Sequence, residues 1–339
     1  MTARRLKASL KGWGGVGAMA VACALTAAIV LPPVTEAGET AGARTGGPGL
    51  AHGLQTKADA CVDGTAQNHS PAPSGADGDA IRAIKDRKGD QRKLVVGVDQ
   101  NSYRWGYRDP NSTVKNSQLE GFDIDLARRI AQEILGSADD IQFRAIPTNQ
   151  RIPAIQNGDV DMVVRTMTIT CKRLDDVAYS APYFQTGQQV LAPKDSVIKG
   201  YDQTLKNKKV CAATGSTALE RLEADKKKGK PAPGVTFLTV DNQLDCLVQL
   251  QLGNVDAIVT DGALAAGQAA QDPTTELKGK PFTTEYYGVA MKKTSVDLVR
   301  RVNQVLVDYR TSGGWAASYD KWLRADLGPS EGPPSPTYQ

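Results

Sequence analysis

One alternation, a short apolar run followed by an amphipathic stretch, is written twice along this chain, and it sets the class of fold before any single residue is considered. The first pass predicts strands at 93–98, 141–146 and 160–164, with helices at 122–134 and 149–156 between them. Phe122, Ile124, Leu126, Ile130 and Ile134 give the longer helix its apolar face. Further extended stretches follow at 177–184 and 188–192. The second pass predicts strands at 209–213, 235–240 and 255–260 with helices at 218–226, 243–252 and 263–271. A returning strand at 286–291 and helices at 296–310 and 315–323 complete it. Two similar α/β lobes then put the C-terminal ends of their strands across a cleft, where open α/β sheets bind ligands.

One strand end stands out. The apolar run Val160-Asp161-Met162-Val163-Val164 passes into Arg165-Thr166-Met167-Thr168-Ile169-Thr170, and Arg173 follows. Amides just past a strand end, several hydroxyls and a planar guanidinium suit a small carboxylate. A polar strand end with a surface arginine is the plainer alternative, and the rest of the chain has to decide between them.

Composition narrows the function classes. The net charge is only +4 and the basic residues are scattered; the Lys226-Lys227-Lys228 run sits among Gly and Pro as a solvated turn. Nucleic-acid binding is not indicated. The only histidines, His52 and His69, lie in a low-complexity stretch, so the folded body lacks a His-based triad or a His-ligated zinc site. No metal or cofactor is expected.

Arg4, Arg5, Lys7 and Lys11 precede an apolar run over 12–31 that ends at Pro32-Pro33. Residues 1–37 read as an export signal cleaved after Ala37, with an uncleaved anchor or a lipidated Cys23 as alternatives. Each places the body outside the cytoplasm, tethered to or near the outer membrane face. Residues 38–75, rich in Gly, Ala, Ser, Thr and Pro, read as a flexible tether, and 329–339 as a disordered tail. Without Cys23, four cysteines remain, and an even number outside the cell suggests two disulfides with three possible connectivities.

Five segments then occur in register: Gly121-Phe122-Asp123-Ile124-Asp125-Leu126-Ala127, Asn149-Gln150-Arg151-Ile152-Pro153-Ala154, Thr166-Met167-Thr168-Ile169-Thr170 with Arg173, Gly215-Ser216-Thr217, and Gly253-Asn254-Val255-Asp256-Ala257 up to Asp261. Over 93–323 the chain closely resembles the extracellular solute-binding proteins (family 3) of polar amino-acid ABC importers. Cys211, Cys246 and Thr283-Thr284-Glu285-Tyr286-Tyr287-Gly288 liken it most to actinobacterial glutamate-binding members.

The resemblance implies a two-lobed periplasmic-binding-protein clamshell of type II, each lobe a mixed sheet flanked by helices. Lobe 1 is expected to span 76–192 plus 289–328 and lobe 2 193–288, with hinge strands near 191–194 and 286–291. That assignment pairs Cys211 with Cys246 inside lobe 2 and leaves Cys61 to staple the N-terminal extension to Cys171. Arg173, Thr168, Ser216 and Thr217 would hold a ligand α-carboxylate, and Asp261, Thr166 and Thr168 its ammonium. Asp261 is also a plausible N-cap for the helix after it.

The side-chain end would involve Arg151, Arg165, Trp105, Tyr103, Asp99 and Gln243. Arg151 and Arg165 favour an acidic ligand, whereas an Asp99–Arg151 ion pair would neutralise the clamp and favour an amide such as glutamine or asparagine. Trp105 serves equally well as plain core. The implied function is binding of glutamate or aspartate by a monomer and delivery to an ABC permease, without catalysis. An amino-acid sensor for a membrane receptor is the alternative, and a dehydratase on the same fold the remote one.

Overall fold

The computed structural model describes residues 61–339 except 63, 110 and 114–117. The expected export segment and tether residues 38–60 lie outside the described residues. Among the described residues no helix is long and apolar enough to cross a membrane.

In chain order, helix α1 (Asp79–Lys85) precedes β1 (Leu94–Val98), the ribbon β2 (Asn101–Ser102) and β3 (Gly106–Tyr107), and α2 (Phe122–Leu135). Then come β4 (Ile141–Ala145), α3 (Arg151–Asn157), β5 (Met162–Val163), the one-turn α4 (Cys171–Leu174), β6 (Val177–Tyr179), β7 (Phe184–Thr186) and β8 (Gln188–Pro193). The second pass holds β9 (Lys209–Ala213), α5 (Thr217–Lys226), β10 (Thr236–Val240), α6 (Gln243–Gln251), β11 (Ala257–Asp261), α7 (Gly262–Gln271), β12 (Thr275–Lys278) and β13 (Glu285–Tyr287). The chain ends on β14 (Ala290–Lys292), α8 (Val296–Thr311), α9 (Gly314–Trp322) and α10 (Arg324–Leu327).

Two five-stranded sheets result, ordered β4-β1-β5-β14-β6 and β10-β9-β11-β8-β12. In each, a β-α-β succession makes the first pairings parallel and a returning strand makes the others antiparallel. The inner strands β1, β5 and β11 read as mostly apolar runs because helices cover both faces of the sheet, whereas the edge strands β4 and β10 mix in exposed polar residues. α2 packs Ile124, Leu126, Ile130 and Ile134 onto one face of the first sheet, with α8 and α9 beside it. α5 fills one face of the second sheet, and α6 packs on β9 and β11. The protein is therefore two α/β lobes, each with its own mixed sheet.

Between them β7 and β13 form a two-stranded antiparallel ribbon, with Tyr287 opposite Phe184 and Glu285 opposite Thr186. Both crossings occur here. The first falls before Gln188, earlier than the expected boundary at 192/193, because β8 pairs wholly with β11 and β12. The expected strands 177–184 and 286–291 each divide in two, at Pro182, where the chain leaves the first sheet for the ribbon, and at Gly288, where it returns.

Both expected disulfides are formed, with Cα–Cα separations of 5.6 Å for Cys61–Cys171 and 5.5 Å for Cys211–Cys246. The sequence separations are 110 and 35 residues, and closing such loops stabilises a fold by about 5 and about 4 kcal/mol in the chain-entropy account. The C-terminal part of the expected tether is ordered structure. Ser70 Oγ donates to the Tyr179 carbonyl and accepts from Asn303 Nδ2, and both residues are buried. The expected disordered tail likewise docks: Tyr338 bridges to Ser70, and the Gln339 amide donates to the Ser70 carbonyl.

Candidate functional site

Strand ends supply the site. Asp99 follows β1, Arg165 and Thr166 follow β5, Gly215 and Ser216 follow β9, Asn242 follows β10, and Asp261 ends β11. These are the C-terminal ends of parallel strands in both lobes, facing one seam.

Three arginines are buried at that seam: Arg151, Arg165 and Arg173. Arg173 sits on α4, whose N-cap Thr170 accepts the Arg173 amide, so the turn that carries the guanidinium is locally fixed. Its Nη1 donates to the Thr168 carbonyl (2.8 Å) and its Nη2 reaches across to the Gly215 carbonyl (3.0 Å). Arg151, at the start of α3, donates to the carbonyls of Thr148 (2.9 Å), Arg165 (3.3 Å) and, again across the seam, Gly215 (3.3 Å). Burial, with Arg173 and Arg165 alongside, depresses the Arg151 guanidinium well below its ordinary pKa. A guanidinium stays charged regardless, so this is a stressed charge that an anion would relieve.

Asp99 does not pair with Arg151. Its Oδ2 lies 2.7 Å from Arg165 Nη2, while the amides of Gln100 and Asn101 and the Ser102 hydroxyl hold the carboxylate in place. The alternative Asp99–Arg151 pair is not made, because Arg151 faces the α5 end of the seam and Arg165 the α6 end. Arg165 also donates to Thr148 Oγ1 (3.1 Å) and to Asn242 Oδ1 (3.2 Å).

Asp261 occupies the N-cap position of α7 but makes no side-chain cap bond. Its Oδ2 instead accepts the Tyr287 hydroxyl at 2.6 Å. Burial, then Glu285 nearby, pushes its pKa up to about 7, against Tyr287, Arg173 and Arg151, which favour the carboxylate. Ser216 caps α5 by accepting the Leu219 amide, and Thr217 Oγ1 donates to Glu285 Oε2 (3.2 Å). Thr168 pairs in an antiparallel bridge with Tyr287, which ties the arginine loop to the hinge ribbon.

Three supporting residues, Gly121, Asp123 and Glu285, are given no role by the sequence analysis. Thr166 adopts φ +40°, a left-handed conformation that is costly for a β-branched residue. Asp123 imposes it: Oδ2 accepts the Thr166 amide at 2.9 Å and Oδ1 accepts the Tyr183 hydroxyl at 2.8 Å. Gly121, at φ +129° against the Trp105 carbonyl, lets α2 begin close enough to place Asp123 there. Glu285 accepts from Gln188, Thr283 and Thr217 and so joins the hinge ribbon to α5. The Gly-Phe-Asp and Thr-Thr-Glu-Tyr-Tyr segments carried the signal, without saying which residues they position.

Trp105 is buried in the lobe 1 core, edge-on to Phe122, Phe184 and Tyr287, and meets the site through Tyr287. Tyr103 packs edge-on to Tyr107 and shares a narrow gap with Gln243, Leu264 and Gln268 at the α6–α7 end of the seam. Gln243 Oε1 accepts the Thr148 hydroxyl (3.1 Å), and its carbonyl accepts from Gln268.

Gly215 has φ +76°, and a Cβ there would lie 2.9 Å from the Asn149 Cα in the other lobe. Gly215→Ala is therefore expected to hold the lobes apart, weakening ligand binding at least tenfold while each lobe stays folded. Titration calorimetry beside circular dichroism checks both halves of that expectation.

The model of the bacterial extracellular solute-binding proteins, family 3, matches residues 94–325. The ABC transporter glutamine-binding protein GlnH of Bacillus subtilis (strain 168) is 37% identical over 248 residues, covering 73% of this chain and 86% of that protein. The glutamate-binding protein GluB of Corynebacterium glutamicum is 30% identical over 247 residues, covering 69% and 78%. Among solved structures, the solute receptor for L-cysteine of Neisseria gonorrhoeae superposes with a TM-score of 0.64 at 27% identity, covering 73% of this chain and 95% of that one. With a matched segment spanning both lobes and the hinge ribbon, this chain belongs to the bacterial extracellular solute-binding proteins, family 3.

Proposed function

We propose that the two lobes close on one free acidic amino acid, glutamate or aspartate, outside the cytoplasmic membrane and present it to an ABC permease without chemical turnover. One observation carries the preference for an acid. Asp99 is committed to Arg165, while Arg151 and Arg173 rest on backbone carbonyls. Two buried cations without a carboxylate at hydrogen-bonding distance among the described residues match two ligand carboxylates.

In this reading Arg173 takes the α-carboxylate, with Thr168 and the α5 start at Ser216–Thr217. Free amides and the dipole at a helix start add to that attraction. Arg151 takes the distal carboxylate. Asp261, with Thr166 and Thr168, takes the ammonium, which replaces the Asp261 proton. Ligand contact with both lobes stabilises the closed form by differential affinity.

Calorimetry on the exported part, unfolded and refolded to strip carried-over ligand, tests this with glutamate, aspartate, glutamine, asparagine and arginine. Glutamate is expected to bind at least about tenfold more tightly than glutamine, and Arg151→Leu to erase that difference by weakening glutamate alone. The relatives include a glutamine-binding protein at 37% identity and a glutamate-binding one at 30%. A wild-type preference for the amide would overturn the acidic reading.

A further inference from the structure

We infer that Arg165, fixed by Asp99, is a latch that holds the lobes together and not a wall of the ligand's side-chain pocket. The inference rests on the amino-acid-binding reading above and gives one of its three buried arginines a different task.

Arg165 is fully buried at the end of β5, and both terminal nitrogens are engaged by protein. Nη2 binds Asp99 Oδ2 in its own lobe and Asn242 Oδ1 in the other. Nη1 binds Thr148 Oγ1, whose hydroxyl in turn donates to Gln243 Oε1 across the seam. The Thr148 amide adds a bond to the Asp241 carbonyl. Residues 241–243 at the start of α6 are thus gripped by two adjacent residues of lobe 1. Both sides of the grip are rigid. Asp99 is held by three donors, and Asn242 is the N-cap of α6, locked reciprocally with Asp245. The Cys211–Cys246 disulfide pins the same helix to β9.

A contact made only when the lobes are together raises the fraction of binding-competent molecules. Its loss therefore weakens every ligand by one common factor. A residue touching the ligand side chain would instead change the ratio between ligands.

Asn242→Ser keeps a capping hydroxyl but is too short to reach Arg165. The measurements are the dissociation constants for glutamate, aspartate and glutamine, the dissociation rate by stopped flow, and the radius of gyration by solution scattering without amino acid. Asn242→Ser is expected to weaken all three ligands by the same factor, about 5–20-fold, with faster dissociation and a larger ligand-free radius. A change of more than about threefold in the glutamate-to-glutamine ratio, or no change in affinity and radius, would overturn the latch. If wild-type protein bound none of the three while scattering still gave Asn242→Ser the larger radius, the latch would stand and the amino-acid reading would fall.

Discussion

Arg173→Ala is expected to raise the dissociation constant for every amino acid by more than about a hundredfold, with little discrimination among them. The size follows from its placement. The guanidinium is buried, its turn is fixed by Thr170, and its two terminal nitrogens bind one carbonyl from each lobe. A ligand carboxylate in its place would gain a charge-assisted pair without ordering a flexible side chain. Arg173→Lys should recover only a small part, since an ammonium cannot span two acceptors as a planar fork does. Calorimetry with glutamate and glutamine measures both variants. A loss confined to glutamate would move Arg173 from the α-carboxylate to the side chain.

Asp261→Asn is expected to weaken binding about a hundredfold at pH 8 and to flatten its pH dependence. In the native protein the Asp261 pKa is pushed up to about 7 by burial and Glu285. Below that value a proton must leave before an ammonium can bind, so affinity should fall by up to tenfold per pH unit as pH drops below 7.

The same shift acts on stability with the opposite sign. The folded carboxyl holds its proton up to about pH 7, whereas the unfolded one releases it near 4. Its contribution to ligand-free stability therefore declines as pH rises from about 4 to 7, and Asp261→Asn removes that slope. The variant should thus be less functional yet more resistant to urea at pH 8, as expected of a buried charge retained for binding. Affinities at pH 6, 7 and 8 beside urea midpoints at the same values check both parts.

Much of this arrangement is legible in the sequence because strand ends are. Asp99, Arg165, Gly215 and Asp261 each follow an apolar run, and a β-α-β succession forces such ends to one side of a sheet. Helix α2 was readable from its periodic apolar face, and the disulfide pairing from which lobe each cysteine occupies. Membership of a sheet was less so. Residues 190–193 form a short apolar run, and nothing in such a run says whether it joins the lobe before it or after it; antiparallel pairing with β11 and β12 decides. β12 escaped notice because an edge strand of Thr275-Glu276-Leu277-Lys278 carries one large apolar residue. The partner of Asp99 was invisible for a different reason. Arg151 and Arg165 meet at one seam, and only the direction of each guanidinium separates the ion pair from the clamp.

A crystal structure of the complex with glutamate tests the central claim most directly. The α-carboxylate is predicted on Arg173 and the start of α5, the ammonium on Asp261, and the distal carboxylate on Arg151, with Asp99 still paired to Arg165. A glutamate whose ammonium lay away from Asp261, or whose distal carboxylate displaced Asp99 from Arg165, would contradict it.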